Sequence, residues 1–120
     1  VPIVGLEHVV RVERKSLGDL VACVGRERER FEREVQRLIG FEVRVLVVES
    51  TWPAVEMGQW LGKITPEAVI GSLIGWQAAG LSVHMAHDHD RAGKHVARLL
   101  YTVARRRYRE LRTLAAELIK

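Results

Sequence analysis

The chain reads as an α/β protein, a small and largely parallel sheet with helices packed on it and a long helix at the C-terminus. Three observations predict this. Residues 42–48, Glu-Val-Arg-Val-Leu-Val-Val, carry the continuous apolar run Val45-Leu46-Val47-Val48, the signature of a strand buried on both faces. Stretches of period-two alternation take turns with stretches of helical spacing, as in a sheet whose strands are joined by helices. Finally, no glycine or proline follows Gly93, so the last thirty or so residues read as one uninterrupted helix. The order is strand, helix, helix, strand, short helix, helix, strand, helix. Its 120 residues suit one domain with a core of its own.

Taken in order, residues 7–15 read as the first strand. Val10 and Val12 fall on one face, and Val9, Arg11, Glu13 and Lys15 on the other. Ser16 opens a helix as N-cap, with Asp19 three residues on in a capping-box position, and Leu17, Leu20, Val21 and Val24 follow at helical spacing until Gly25 breaks it. After the charged run Arg26–Arg30, a second helix carries Phe31, Val35, Leu38 and Ile39 up to Gly40, and an exposed Glu29–Arg33 pair at i, i+4 is expected on its surface. The buried strand at 42–48 comes next, with Glu49 at its end. Residues 50–63 read as a loop with a short helix around Val55–Trp60.

Thr65-Pro66-Glu67 joins a capping residue, a proline suited to the first turn and an acid near the positive end of the dipole, a strong helix start. Val69, Ile70, Leu73 and Ile74 are expected as its buried stripe, with Gly71 and Gly75 allowing a close helix approach before Gly80 ends it. Leu81, Val83 and Met85 alternate with Ser82 and His84 in a third strand. Asp88 or Asp90 then caps the final helix to about Ile119, whose stripe is Ala92, Val96, Leu99, Val103, Leu111, Ala115 and Leu118.

Composition narrows the function classes. The chain is 48% hydrophobic and 28% charged, as an ordinary globular protein is. Cys23 is its one cysteine, so an internal disulfide is excluded and a reducing, intracellular setting is expected, cytoplasmic or nucleoid-associated. In mid-helix among apolar neighbours, Cys23 is expected buried and inert. No apolar run reaches the roughly 18 residues that suggest a membrane span. The chain starts at Val1 rather than Met, which reads as a processed or trimmed start. Residues 88–120 carry nine basic and four acidic side chains, a balance that suits a polyanion or, equally, a solvated arginine-rich helix face.

Glu13 and Lys15, two apart on a strand, share a face and set a carboxylate beside an ammonium. Metal-dependent phosphodiester cleavage needs that pairing, the acid for a divalent cation and the lysine for the attacking water or the phosphate. The competing reading is a solvated strand pair, with Asp19 merely supporting the cap. Alternation sends Arg14 to the other face, where it meets either DNA phosphate at a twisted strand end or an internal acid such as Glu49. His84-x-x-His87-x-His89 with Asp88 and Asp90 has the ingredients of a zinc tract. It straddles a strand end and a helix cap without a cysteine, and reads better as capping plus exposed histidines. Trp52, Trp60 and Trp76 read as core or interface.

Glu13-Arg14-Lys15-x-x-x-Asp19 resembles the Glu-Arg-Lys-x-x-x-Asp signature of the XPF-type structure-specific endonuclease domain, part of the PD-(D/E)xK restriction-endonuclease-like superfamily. The resemblance runs from about Gly5 to Arg109 and takes in Arg30-Phe31-Glu32-Arg33-Glu34, Val45-Leu46-Val47-Val48-Glu49, Ala68 to Gln77 and Arg98-Leu99-Leu100. It implies a restriction-endonuclease-like central sheet flanked by helices, with a catalytic set of Glu13, Arg14, Lys15 and Asp19. Glu13 and Asp19 would hold Mg²⁺ or Mn²⁺, and Lys15 would position the nucleophilic water.

The family's fuller motif has an upstream Gly-Asp pair that this sequence does not show before Glu13. Residues 1–120 are therefore expected to be a single nuclease domain that is N-terminally incomplete, with Glu7 a poor substitute ligand. The implied activity is divalent-metal-dependent cleavage of branched, forked or flapped DNA in repair or recombination. The alternative is a catalytically silent module of the same fold that binds DNA or a partner subunit. Arg105, Arg106 and Arg109 are the expected DNA contacts, with Tyr108 able to stack on a base. A homodimer or heterodimer is expected through the C-terminal helices.

Overall fold

Val45 to Val48 lie at the centre of the molecule because the strand that carries them is covered on both sides. The computed structural model describes residues 5–119. Its elements are β1 (Val10–Lys15), α1 (Leu17–Val24), α2 (Arg28–Ile39), β2 (Val43–Val48), α3 (Trp52–Glu56), α4 (Pro66–Ala78), β3 (Ser82–Met85) and α5 (His89–Leu118). The three strands are parallel in the order β1-β2-β3, so the 42–48 run is the central strand, as its apolar continuity predicted. Leu46 and Val48 enter one core with Leu20, Phe31, Val35, Val55, Leu73 and Trp76 from α1–α4. Val45 and Val47 enter a second core with Val10, Val12 and the α5 residues Ala92, Val96 and Leu100.

Side-chain caps define the starts of four helices. Ser16 Oγ, Thr51 Oγ1, Thr65 Oγ1 and Asp88 Oδ1 accept from the amides of Asp19, Ala54, Ala68 and Arg91 at 3.2, 3.1, 3.2 and 2.8 Å. Each such bond satisfies a donor that the helix leaves free, a stabilisation of about 1 kcal/mol. Arg44 does similar work at the other end of α2, donating to the carbonyls of Ile39 and Phe41 and also to Gly80. Gly80, at φ +111°, takes a backbone conformation that L side chains rarely adopt, and a Cβ there would lie 3.0 Å from Arg44 Nη2.

The structure differs from the sequence reading in several places. β1 starts at Val10 rather than residue 7, because the Leu6 carbonyl accepts from the amides of Val9 and Val10 and closes a turn. The surface pairs of α2 are Arg28–Glu32 and Glu34–Arg37, with Glu27 just before the helix on Arg30, and not Glu29–Arg33. The short helix lies at Trp52–Glu56 rather than Val55–Trp60, since Thr51 caps it and Pro53 sits in its first turn. α4 buries Val69, Ser72, Leu73 and Trp76 and leaves Ile74 exposed. Its setting is governed by Trp76, whose ring meets Phe31 edge-on at 4.8 Å while its Nε1–H donates to Glu32. Gly71 and Gly75 consequently face open space, with nothing within 4 Å of an added Cβ, and no close helix approach uses them.

The largest difference is in α5. Only its first half packs on the sheet, and every residue from Tyr108 to Ile119 is exposed, including the expected stripe members Leu111, Ala115 and Leu118. A 30-residue helix is about 45 Å long at about 1.5 Å per residue, longer than a three-stranded sheet can cover. It therefore projects and stretches the molecule to 63 Å along its longest axis. Among the described residues no helix is long and apolar enough to cross a membrane.

Candidate active site

The C-terminal edge of a parallel sheet gathers side chains that chain order keeps apart. β1 ends at Lys15, β2 is followed by Glu49, and α5 begins at His89 just beyond β3. Backbone bonds knit this edge, with the Glu49 amide donating to the Lys15 carbonyl and the His87 amide to the Ser50 carbonyl, each at 2.8 Å.

Register assigns the faces. Glu13 pairs with Leu46 and Lys15 with Val48, so both point to the α1–α4 side. Lys15 Nζ lies 3.5 Å from Glu13 Oε1 and 5.6 Å from the centre of the Phe31 ring. The two side chains are 19% and 26% exposed, sheltered yet open to solvent at the sheet edge. Asp19 is exposed in the first turn of α1. Cys23, buried on that same side, is affected by the charges of both Lys15 and Asp19, and burial pushes its thiol above the ordinary value.

Arg14 points the other way, and of its two sequence alternatives the structure shows the internal ion pair. Its Nε and Nη2 donate to Glu49 Oε2 at 3.0 and 2.7 Å, and Nη2 also donates to the His89 carbonyl at 3.0 Å. Those two bonds use both Nη2 hydrogens. His89 Nδ1, 3.1 Å from each Glu49 oxygen, is then best satisfied carrying the proton and donating it to Glu49, which leaves Nε2 facing solvent on a side chain 84% exposed. Burial pushes the Glu49 carboxyl up, but the bonds from His89 and Arg14 outweigh it and hold it below its ordinary value. Sequence spacing could not find the Glu49–His89 contact, because the two residues are 40 apart.

The histidine tract disperses. His84 stacks on His95, His87 lies beside Asp88 and Arg91, and His89 meets Glu49. Among the described residues no three His, Cys, Asp or Glu side chains converge to hold an ion. What the Glu13 side offers is hard carboxylate oxygen open to water. That fits hydrated Mg²⁺ or Mn²⁺, which takes one or two carboxylates and completes its shell with water and phosphate, rather than a closed cage. Along α5, Arg105, Arg106 and Arg109 are exposed, whereas Arg107 is engaged with Glu42 and Glu110.

Comparison with protein families matches the ERCC4 domain over residues 3–99. The chain belongs to the ERCC4 domain family. The match spans the Glu-Arg-Lys signature, the whole sheet and the first turns of α5, in agreement with the XPF-type resemblance. Comparisons with curated proteins and with solved structures found no significant match. At the level of the family, an ERCC4 domain implies a nuclease-type function in DNA repair. ERCC4 domains bind DNA and often dimerise, and their nucleases generally depend on divalent metal.

Proposed function

We propose that this ERCC4 domain is a divalent-metal-dependent endonuclease module acting on branched, forked or flapped DNA in repair or recombination inside the cell. The observation that carries the reading is the Glu13–Lys15 pair, a carboxylate and an ammonium 3.5 Å apart on a solvent-open edge of a parallel sheet. Glu13 and Asp19 would hold Mg²⁺ or Mn²⁺. When bound, the ion supplies neutralisation of charge developing on the phosphoryl oxygens and eases loss of a proton from water. Lys15 presents three N–H donors on a flexible stem and orients the attacking water or a non-bridging phosphate oxygen. Glu13 keeps that ammonium on the site side of the strand. Arg14 serves from behind, through Glu49. Arg105, Arg106 and Arg109 contact backbone phosphates, and the projecting end of α5 meets a second subunit through Leu111, Leu114 and Leu118, all at least 60% exposed.

Incubation of labelled fork, flap and linear duplex DNA with Mg²⁺ or Mn²⁺ tests the reading. Cleavage that Glu13→Ala and Lys15→Ala remove, with DNA binding retained, supports it. Cleavage undiminished in both variants overturns the site assignment. The second reading is a catalytically silent scaffold of the same fold that binds DNA or a partner subunit. DNA binding with no cleavage in either metal would select it.

A further inference from the structure

Arg14 stands between Glu13 and Lys15 in sequence but projects through the opposite face of β1, into contact with two other elements. We propose that Arg14, Glu49 and His89 form a positioning clamp that sets the twist of the β1 end and thereby aims Glu13 and Lys15.

Arg14 is the last residue but one of β1, which ends at Lys15. The end of a strand can rotate about its own axis, and alternation makes any rotation swing neighbouring side chains in opposite senses. The clamp opposes that rotation at the residue between the two site groups. Glu49 Oε2 receives both Arg14 donors and Oε1 takes the His89 ring, while the Glu49 amide holds the Lys15 carbonyl. One residue of β1, one following β2 and the first residue of α5 are thus joined by charge-assisted bonds of 2.7 to 3.1 Å. The Glu49 side chain is only 12% exposed, so salt screens the pair less than a surface ion pair. With the Nε and Nη2 hydrogens bonded to Glu49 and the His89 carbonyl, the Arg14 guanidinium is held by its neighbours in a fixed direction, and it acts through that geometry. The same clamp joins the start of α5 to the sheet, which couples the arginine-bearing helix to the site.

The kinetic arm of the test rests on the nuclease reading; a second arm does not. Arg14→Gln and Glu49→Gln remove the charge pair while keeping side-chain bulk. Each is expected to lower kcat on fork DNA by about tenfold or more, at a KM within about twofold of wild type, because misplacement of reacting groups costs rate rather than binding. Glu49→Asp should restore part of the rate. In amide hydrogen exchange followed by NMR, Arg14→Gln should speed exchange at Glu49 by about tenfold and leave Leu46 and Leu73 unchanged, as local opening does.

A raised KM at unchanged kcat would make Arg14 a DNA contact and overturn the clamp. Unaltered exchange at Glu49 would do the same. Should the wild-type chain cleave no substrate, the nuclease reading fails by itself and the exchange result still decides the clamp. His89→Ala, which trims an exposed ring, provides the same exchange readout if the Arg14 and Glu49 variants do not fold.

Discussion

His84 on β3 and His95 on α5 stack face to face, with ring centroids 3.7 Å apart and planes within 10° of parallel. The contact seats the long helix against the outer strand of the sheet, and it has a protonation cost. Burial, and then the charge of His84, hold His95 below the ordinary histidine value of 6.5.

That depression fixes the sign of a pH effect. The unfolded chain binds the His95 proton more readily than the folded one, so stability rises with pH across the interval between the folded value and 6.5. Thermal unfolding followed by circular dichroism should give a lower Tm at pH 5.5 than at pH 7.5. His95→Phe keeps a ring against His84 and should flatten that slope. Equal slopes for the two proteins would show that the pair does not carry the effect.

The catalytic proposal predicts a separation of binding from chemistry. Glu13→Ala and Lys15→Ala should each reduce cleavage of fork DNA by about 10²-fold or more, the scale of removing a group that stabilises charge in the transition state. Affinity for the same DNA, measured by fluorescence anisotropy in Ca²⁺, should change by less than about threefold, since the exposed arginines of α5 lie elsewhere. A loss of affinity matching the loss of rate would recast the pair as a binding element.

Arg105, Arg106 and Arg109 are exposed, and Arg107 is held to Glu42 and Glu110. Replacing the first three with Ala should therefore weaken DNA binding and flatten its salt dependence, by about 0.9 in the logarithmic slope for each phosphate no longer neutralised. Arg107→Ala removes a tie between α5 and the residue before β2, and should act on stability more than on the salt slope. Titrations from 50 to about 300 mM salt separate the two effects.

Core and surface positions on the same elements should differ sharply. Leu46 is fully buried at the middle of β2, and Leu46→Ala should cost about 2–5 kcal/mol by urea denaturation. Gly71→Ala and Gly75→Ala sit inside α4 with open space around the new Cβ. Each should stabilise by roughly 0.5–1 kcal/mol, the helix preference for alanine over glycine.

The projecting end of α5 presents Leu111, Leu114 and Leu118 to solvent, beyond the reach of the sheet. Replacing all three with Ser should shift the protein from dimer to monomer in sedimentation velocity, with the circular dichroism of the α/β body retained. A wild-type protein that sediments as a monomer throughout would remove the dimer proposal.

Glu13-Arg14-Lys15, Ser16 and Asp19 are legible in the sequence because strand alternation and a local cap depend on neighbours a few residues away. The central strand is legible because burial on both faces leaves a continuous apolar run. The α4 stripe is misread, because its apolar residues spread around the helix and Ile74 competes with Trp76 for the inward direction. Only the contact of Trp76 with Phe31 and Glu32 decides between them. The α5 stripe is read too far for a related reason. Helical spacing records which residues share a face, and not how far a neighbouring surface extends.

By itself, then, the sequence determined the succession of strands and helices, the caps at Ser16 and Thr65, the central strand and the placing of a carboxylate and an ammonium on one face of β1. These follow from periodicities of two and 3.6 residues and from local hydrogen bonding. The tertiary structure alone decided that Arg14 serves Glu49, 35 residues away, and the His89 carbonyl, 75 residues away. It also paired His84 with His95 and left the last turns of α5, from Tyr108 onward, in solvent. Those outcomes depend on strand register and on where one element runs out of another to pack against, and neither is a property of any short stretch of chain.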